Sequence, residues 1–137
     1  MDSVEAILIV TGESPCVLEL ADGKLEGLVK QRYPIGAAPN GEPLKQNAVF
    51  VAIPTQFASD DQVLSEVEDW LIRHRDVLMQ CDAAKTIEFY TYLQPDIGSR
   101  SLTIPDSLIR IAAELKLNVA NQSIRILTED EYNNLKR

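Results

Sequence analysis

The sequence predicts a single α+β domain in which a mixed sheet of four or five strands carries two main helices on one face. The chain has 137 residues, of which 45% are hydrophobic and 25% are charged, and this composition suits one folded domain with its own core. Short β-branched runs predict the strands, and longer segments with apolar residues at helical spacing predict the helices.

Two apolar runs and one weaker segment predict three of the strands. Residues 4–11 (VEAILIVT) and 48–53 (AVFVAI) are almost continuously apolar, which is typical of central strands buried on both faces. Pro54 ends the second run, because proline has no N–H to donate to a sheet. Residues 119–127 have a weaker pattern, and we expect them to form an edge strand.

A fourth strand is predicted by the alternation of apolar and polar residues over residues 85–93 (KTIEFYTYL). Glu88, Tyr90 and Tyr92 share one face of this strand. The two tyrosines could stack on a base or line a ligand pocket, but we expect their rings to pack beneath a helix with the hydroxyls at its edge.

The clearest helix is predicted over residues 60–81. Ser59 and Gln62 have the spacing of a capping box, and Asp60 and Asp61 place negative charge where the helix dipole favours it. One apolar face follows at helical spacing, formed by Val63, Val67, Trp70, Leu71, His74, Val77, Leu78 and Cys81.

A second helix is predicted from Pro105, a favoured first-turn residue, to about Leu117. Asn118 is expected to end it in a left-handed conformation. Thr128 and Glu131 form another capping-box pattern, which predicts a short helix in the tail.

Residues 14–30 fit two structures. Ser14 and Pro15 are typical of a helix N-cap and first turn, whereas the Asp22–Gly23 pair between apolar stretches is typical of a hairpin. We favour the helix, ended by Gly23, over the hairpin.

Residues 31–47 contain three prolines and two glycines, and the sequence predicts a long loop there. A loop of this length in a small domain is often functional.

The net charge of −8 limits the partners of this chain. An acidic surface repels phosphate backbones and anionic lipids, so we expect neither a nucleic acid nor a membrane as partner. It suits a basic protein partner. The first ten residues are acidic and apolar without the basic residues of a signal peptide, and the chain is predicted to be cytoplasmic.

The cysteines and the single histidine are interpreted as core residues. Cys16 and Cys81 lack the spacing of a redox or metal motif, and in a cytoplasmic protein we expect them to be reduced thiols that pack in the core. His74 lies in the middle of the apolar face of the main helix, where a buried neutral imidazole with one hydrogen bond is expected rather than a catalytic base.

No sequence motif predicts a catalytic residue, a metal ligand or a cofactor. The glycines of "GAAPNGEP" have no lysine-threonine sequel and no following helix, so they predict turns and not a phosphate-binding loop. Carboxylates are abundant, but no pair of them stands out from the surface charge of an acidic protein.

The outer face of the main helix is the candidate binding surface. An acidic surface with apolar residues at its centre suits docking onto a basic protein, because charge steers the approach and apolar contacts anchor it. A solvated helix face with two stray apolar residues is the alternative interpretation. The residues of this outer patch are Asp61, Glu68, Asp69, Ile72, Asp76 and Met79.

Three stretches resemble a known family. They are the helix end "WLIRHRDVLMQC", the strand "KTIEFYTYLQP" and the segment "SLTIPDSLIRIAAELKLNVANQSIRI", and the turn-rich "AAPNGEP" is similar to a further stretch of the family. This half of the chain resembles a bacterial domain-of-unknown-function family with a ferredoxin-like core. Small members of that family are similar to immunity proteins of polymorphic and contact-dependent toxin systems. The resemblance implies a ferredoxin-like sheet and no catalytic residues.

These observations lead to three hypotheses of function. The first is a non-enzymatic immunity protein that masks a basic toxin domain, such as a nuclease, with the outer patch. The second is a small-molecule-binding or enzymatic domain that uses the 31–47 loop and the face of Tyr90 and Tyr92. The third is a structural subunit of a larger bacterial assembly.

Overall fold

Five strands form one mixed sheet in the part of the chain that the structure, a computed structural model, describes: residues 3–56, 59–93, 102–125 and 130. The central strand β1 is antiparallel to both of its neighbours, β3 and β4, whereas β4 and the edge strand β5 are parallel. The sheet order is β2-β3-β1-β4-β5. The strands are β1 (Ser3–Gly12), β2 (Leu28–Tyr33), β3 (Asn47–Ala52), β4 (Ala84–Leu93) and β5 (Leu117–Arg125).

The helices connect these strands in the ferredoxin-like order. Helix α1 (Cys16–Glu19) continues as a π-helical turn (Leu20–Lys24) between β1 and β2. Helices α2 (Asp60–Arg73) and α3 (Arg75–Gln80) connect β3 to β4. The first four strands therefore have the order and directions of a split βαβ pair, and α4 (Asp106–Glu114) adds β5 at the edge. The predicted α+β class is confirmed.

One buried cluster joins the helices to a single face of the sheet. Leu8 at the centre of β1 pairs with Val51 of β3 and Ile87 of β4, and helix residues such as Trp70 pack over them. The prediction that the two apolar strands are buried on both faces was wrong. Ile7 of β1 and Phe50 of β3, on the opposite face, are only half-buried, because none of the described helices packs there.

The predicted 60–81 helix is two helices, which separate at His74. The Ser59 hydroxyl accepts from the N–H of Gln62, so the predicted N-cap is confirmed. At His74 the backbone leaves the helical region (φ −102°, ψ 13°), and Arg75 begins α3. The ring of His74 is hydrogen-bonded to the backbone of Glu26, which is 48 residues away in sequence. Apolar spacing within one helix does not indicate such a bond.

Residues 14–30, which fit either a helix or a hairpin, form a helix that is followed by the start of β2. The helical path runs from Cys16 to about Ala21, and Asp22 and Gly23 leave it, Gly23 with a left-handed φ of 91°, as favoured by the sequence. The predicted 31–47 loop was too long, because residues 31–33 belong to β2. Residues 34–46 then form a loop that is closed by two hydrogen bonds between the backbones of residues 36–37 and Leu44.

Helix α4 ends at Glu114, three residues before the predicted end at Leu117, and its left-handed stop is not Asn118. Lys116 takes the left-handed conformation (φ 56°), and β5 begins directly at Leu117. The predicted tail helix involves residues 128 and 131, which lie outside the described residues. None of the described helices is long and apolar enough to cross a membrane.

The two cysteines form a disulfide, so the prediction of reduced packing thiols was wrong. Cys16 begins α1 just after β1, and Cys81 follows α3 just before β4, with the two Cα atoms 5.6 Å apart. The pairing of β1 with β4 brings these strand ends together, since Thr11 is opposite Ala84. Spacing along the chain could not show this proximity. Disulfides persist in oxidising compartments, and the cytoplasmic location stays a prediction.

The disulfide closes a long loop and should contribute strongly to stability. For a separation of 65 residues, the entropy of the unfolded chain predicts that the Cys16→Ala/Cys81→Ala variant loses about 4 kcal/mol of unfolding free energy. Denaturation in guanidinium without reductant measures this loss. Thiol titration of the unfolded wild-type protein should find no free thiol, and two titratable thiols would contradict the pairing.

Candidate functional site

The outer patch predicted from the sequence lies on the solvent side of α2 and α3. Five of its six residues are exposed, and Glu68 is half-buried and accepts a hydrogen bond from the Ser107 hydroxyl at 2.8 Å. Ile72 and Met79 expose 46% and 56% of their surface among the carboxylates. Asp61, Glu68, Asp69 and Ile72 belong to α2, whereas Asp76 and Met79 belong to α3.

An open groove of about 710 Å³ runs along one flank of α2. It lies between this helix, the chain that follows β3 and the turn that precedes β2. Two residues of the outer patch line it. The lining consists of residues 54–56, Glu26, Glu66, Asp69, Ile72 and Arg73.

The groove is acidic, and its walls hold two of its carboxylates in place. Glu66 accepts a hydrogen bond from the backbone N–H of Gln56 at 2.7 Å. Glu26 pairs with Arg73 at 3.4 Å. Asp69 is exposed, and its carboxylate has no hydrogen bond or ion pair with any described residue. Three carboxylates face one guanidinium, so the groove attracts cationic groups.

The side chains of Trp70 and His74 are hydrogen-bonded to the backbone of Glu26. The indole N–H of Trp70 donates to the carbonyl of Glu26 at 2.9 Å, and the Glu26 N–H donates to Nε2 of His74 at 3.2 Å. Nε2 must accept, so the proton is on Nδ1, which donates to the carbonyl of Trp70 at 2.7 Å. Both ring nitrogens of His74 are thus occupied by structural bonds. The interpretation of His74 as a core residue is confirmed, with two ring hydrogen bonds instead of one.

Gly27 allows this part of the chain to approach the sheet closely. Its φ of 135° disfavours other residues, and a Cβ at this position would collide with the backbone oxygen of Ala52. The chain can therefore pass from Glu26 directly into β2. This places the Glu26 carboxylate at the end of the groove.

A second depression, of about 340 Å³, lies on the other flank of α2. Asp61 and Glu68 of the outer patch line it together with Thr103 and Ser107 from the α4 side. The patch therefore separates into two acidic flanks, with Asp69 and Ile72 on the groove side.

The alternative site built from the 31–47 loop and the tyrosine face does not come together. A depression of about 450 Å³ lies beside the loop, lined by Leu44–Ala48 with Thr11 and Glu13, and Tyr90 is not part of it. The expectation that Tyr90 packs beneath a helix was wrong. The described helices cover the other face, and the half-buried Tyr90 donates a hydrogen bond to Glu88. The side chain of Tyr92 lies outside the described residues.

Lys85 is a buried titratable group. Its ammonium is buried beneath α3 and donates to the carbonyls of Cys81 at 2.6 Å and Ala83 at 3.3 Å. Burial lowers the pKa of Lys85 below its ordinary value of 10.5, an effect opposed by Asp82 and reinforced by Lys116. The positive charge of Lys85 offsets the partial negative charge of the carbonyl groups at the end of α3, as cations do at helix C-termini.

Sequence reasoning missed three charged residues of the groove. Glu66 and Arg73 lie on the flank of α2 between its buried and outer faces, and including that flank would have found them. Glu26 is 48 residues from His74 along the chain, and no local pattern indicates that it reaches α2.

Comparisons with known proteins do not assign this site. Scans against family models, curated proteins and solved structures found no match to the chain. Among the described side chains, no group of three or more histidines, cysteines, aspartates or glutamates could hold a metal ion.

Replacing His74 should disturb the attachment of Glu26. In His74→Ala, the Glu26 N–H and the Trp70 carbonyl each lose a ring partner, and we expect a loss of about 2–4 kcal/mol of unfolding free energy. Arg73→Ala is the control, because it removes only an exposed ion pair and should cost less than about 1 kcal/mol. Equal losses in urea denaturation would contradict the role of His74.

Replacing Lys85 should change how stability depends on pH. Because the folded-state pKa of Lys85 is below the unfolded value, the unfolded chain holds this proton more tightly than the folded chain. The unfolding free energy therefore increases as pH rises through the interval just below 10.5. This gain should be absent in Lys85→Met. Urea denaturation of both proteins between pH 8 and pH 10.5 measures it, and equal pH slopes would show that Lys85 is not the titrating group.

Proposed function

We propose that this chain is a non-enzymatic binding domain whose acidic groove and outer patch dock onto a basic protein. The observation that carries the proposal is the groove, where three carboxylates, of Glu26, Glu66 and Asp69, face Arg73, the one cation among the described residues that line it. Two of these carboxylates are positioned before any partner arrives, so little side-chain entropy is lost on binding.

Apolar contacts next to the charges support the same proposal. Ile72 lines the groove with almost half of its surface exposed, and Met79 is more exposed still. An apolar anchor beside carboxylates suits the boundary between the core and the polar rim of a protein–protein interface. The net charge of −8 adds long-range attraction that would steer a basic partner toward this surface.

An immunity protein that neutralises a basic nuclease toxin is the specific form of this proposal. The nucleic-acid-binding cleft of such a toxin is positive, and an acidic domain covers it by charge complementarity. The gene next to this one should then encode a secreted protein with a basic C-terminal nuclease domain. Equimolar amounts of this chain should inhibit that nuclease.

Charge reversal tests the outer patch together with the Asp69 wall of the groove. We expect Asp69→Lys/Asp76→Lys to weaken binding of a deca-arginine peptide about tenfold at 0.15 M salt, since two local attractions become repulsions. Neither carboxylate holds a described partner, so the fold should be unaffected. Isothermal titration calorimetry measures the affinity.

The matched control moves the same charge to another surface. Glu13→Lys/Glu42→Lys also changes the net charge from −8 to −4, so long-range attraction falls equally in both variants. This control should bind the peptide within threefold of the wild-type affinity. Equal weakening by the two variants would mean that the peptide senses net charge alone, and would rule out the groove as the docking surface.

A further inference from the structure

We propose that the Cys16–Cys81 disulfide is a redox-sensitive latch that holds the Glu26 wall of the acidic groove in its docking position. The inference rests on the docking function proposed above, because it concerns the regulation of that same groove. Its structural half, the control of Glu26 by the disulfide, can be measured without any partner.

The disulfide and the Glu26–His74 hydrogen bond lie on the same small circuit of the fold. From Cys16 the chain reaches Glu26 in ten residues, through α1 and the π-helical turn. From Cys81 it reaches His74 in seven residues, back through α3. The Glu26 N–H donates to Nε2 of His74, which closes the circuit.

Cutting the disulfide makes the closure of this circuit entropically more expensive. With the bridge intact, the shortest covalent path between Glu26 and His74 spans about 17 residues, and without it the path is the 48 residues through β2, β3 and α2. The probability that a flexible chain closes a loop falls with the 3/2 power of the loop length, so the free-energy cost rises with the logarithm of that length. The open form, in which Glu26 has left His74, should therefore become more populated on reduction, by at most about fivefold, the limit for two fully flexible paths.

Reduction should loosen the wall without unfolding the domain. The segment between Cys16 and Glu26 also buries Val17, Leu20 and Leu25 in the core, and these contacts do not depend on the bridge. What changes is the frequency with which Glu26 leaves Trp70 and His74. Each departure removes one carboxylate and one end of the groove.

The bridge is accessible to a reductant from one side. Cys81 is only 2% exposed, whereas Cys16 is half-buried and lines a surface depression of about 360 Å³ together with Lys24 and Gln80. A thiolate of a dithiol can attack Sγ of Cys16, and Cys81 leaves as a thiolate and takes up a proton. The second thiol of the reductant then closes its own disulfide and releases Cys16 as a thiol. Two electrons and two protons pass from the dithiol to the protein.

Hydrogen exchange followed by NMR tests the latch directly. Exchange of the Glu26 amide and the Trp70 indole N–H should be faster, by up to about fivefold, in the protein reduced with dithiothreitol than in the oxidised protein. The Cys16→Ser/Cys81→Ser variant should show the same acceleration without reductant. Unchanged exchange at Glu26 in both samples would overturn the proposal.

A destabilised control separates the latch from a general loss of stability. Leu117→Ala weakens the core at the sheet edge and leaves the disulfide intact. It should leave exchange of the Glu26 amide at the wild-type rate, since that amide opens locally. Acceleration equal to that caused by reduction would attribute the effect to global stability and refute the latch.

The docking half is tested with the deca-arginine peptide. The affinity should fall by the ratio of the closed-form populations that the exchange data give for the oxidised and the reduced protein, because conformers without the Glu26 wall do not bind productively. An affinity change that departs from this ratio would refute regulation of the groove. Equal peptide affinities of Asp69→Lys/Asp76→Lys and the wild-type protein would instead refute the docking function. The exchange data would still decide whether the disulfide controls Glu26.

Discussion

The backbone of Glu26 is bound at both of its polar groups, by Trp70 of α2 and by His74 directly after that helix, and much of the molecule depends on this attachment. The Trp70 indole takes its carbonyl and the His74 ring takes its N–H. Since Trp70 is fully buried over the sheet, the turn before β2 is tied to the core and not only to the surface. α2 ends at this same His74, β2 begins two residues after Glu26, and Glu26 forms one end of the groove.

Local patterns predicted the elements whose causes are local. The Ser59 cap, the alternation in β4 and the apolar runs of β1 and β3 depend on residues close together in sequence, and each was found. The break at His74 and the Cys16–Cys81 bridge depend on contacts across 48 and 65 residues. Neither leaves a periodic signal, because helical spacing is the same whether or not a histidine bonds a distant amide.

The candidate site likewise has one part that local sequence patterns predict and one part that they do not. Asp69 and Ile72 could be predicted from the outer face of one helix, since exposure follows from the angle around its axis. The groove, however, also needs residues 54–56 and Glu26, which reach α2 only through the sheet order. A surface built by one element can be predicted from the sequence. A concave surface between elements requires the fold.

The latch and the groove are coupled, and linkage makes this coupling reciprocal. If the oxidised protein binds a partner more tightly than the reduced protein, the partner must make the disulfide harder to reduce by the same factor. A bound partner would therefore protect the bridge from dithiols even where Cys16 stays exposed in the complex, because binding favours the closed form that the bridge also favours. Charge makes this protection depend on salt. An electrolyte that weakens docking leaves the short-range Glu26–His74 bond in place, so high salt should remove the partner's protection while leaving the reduction of the free protein unaffected.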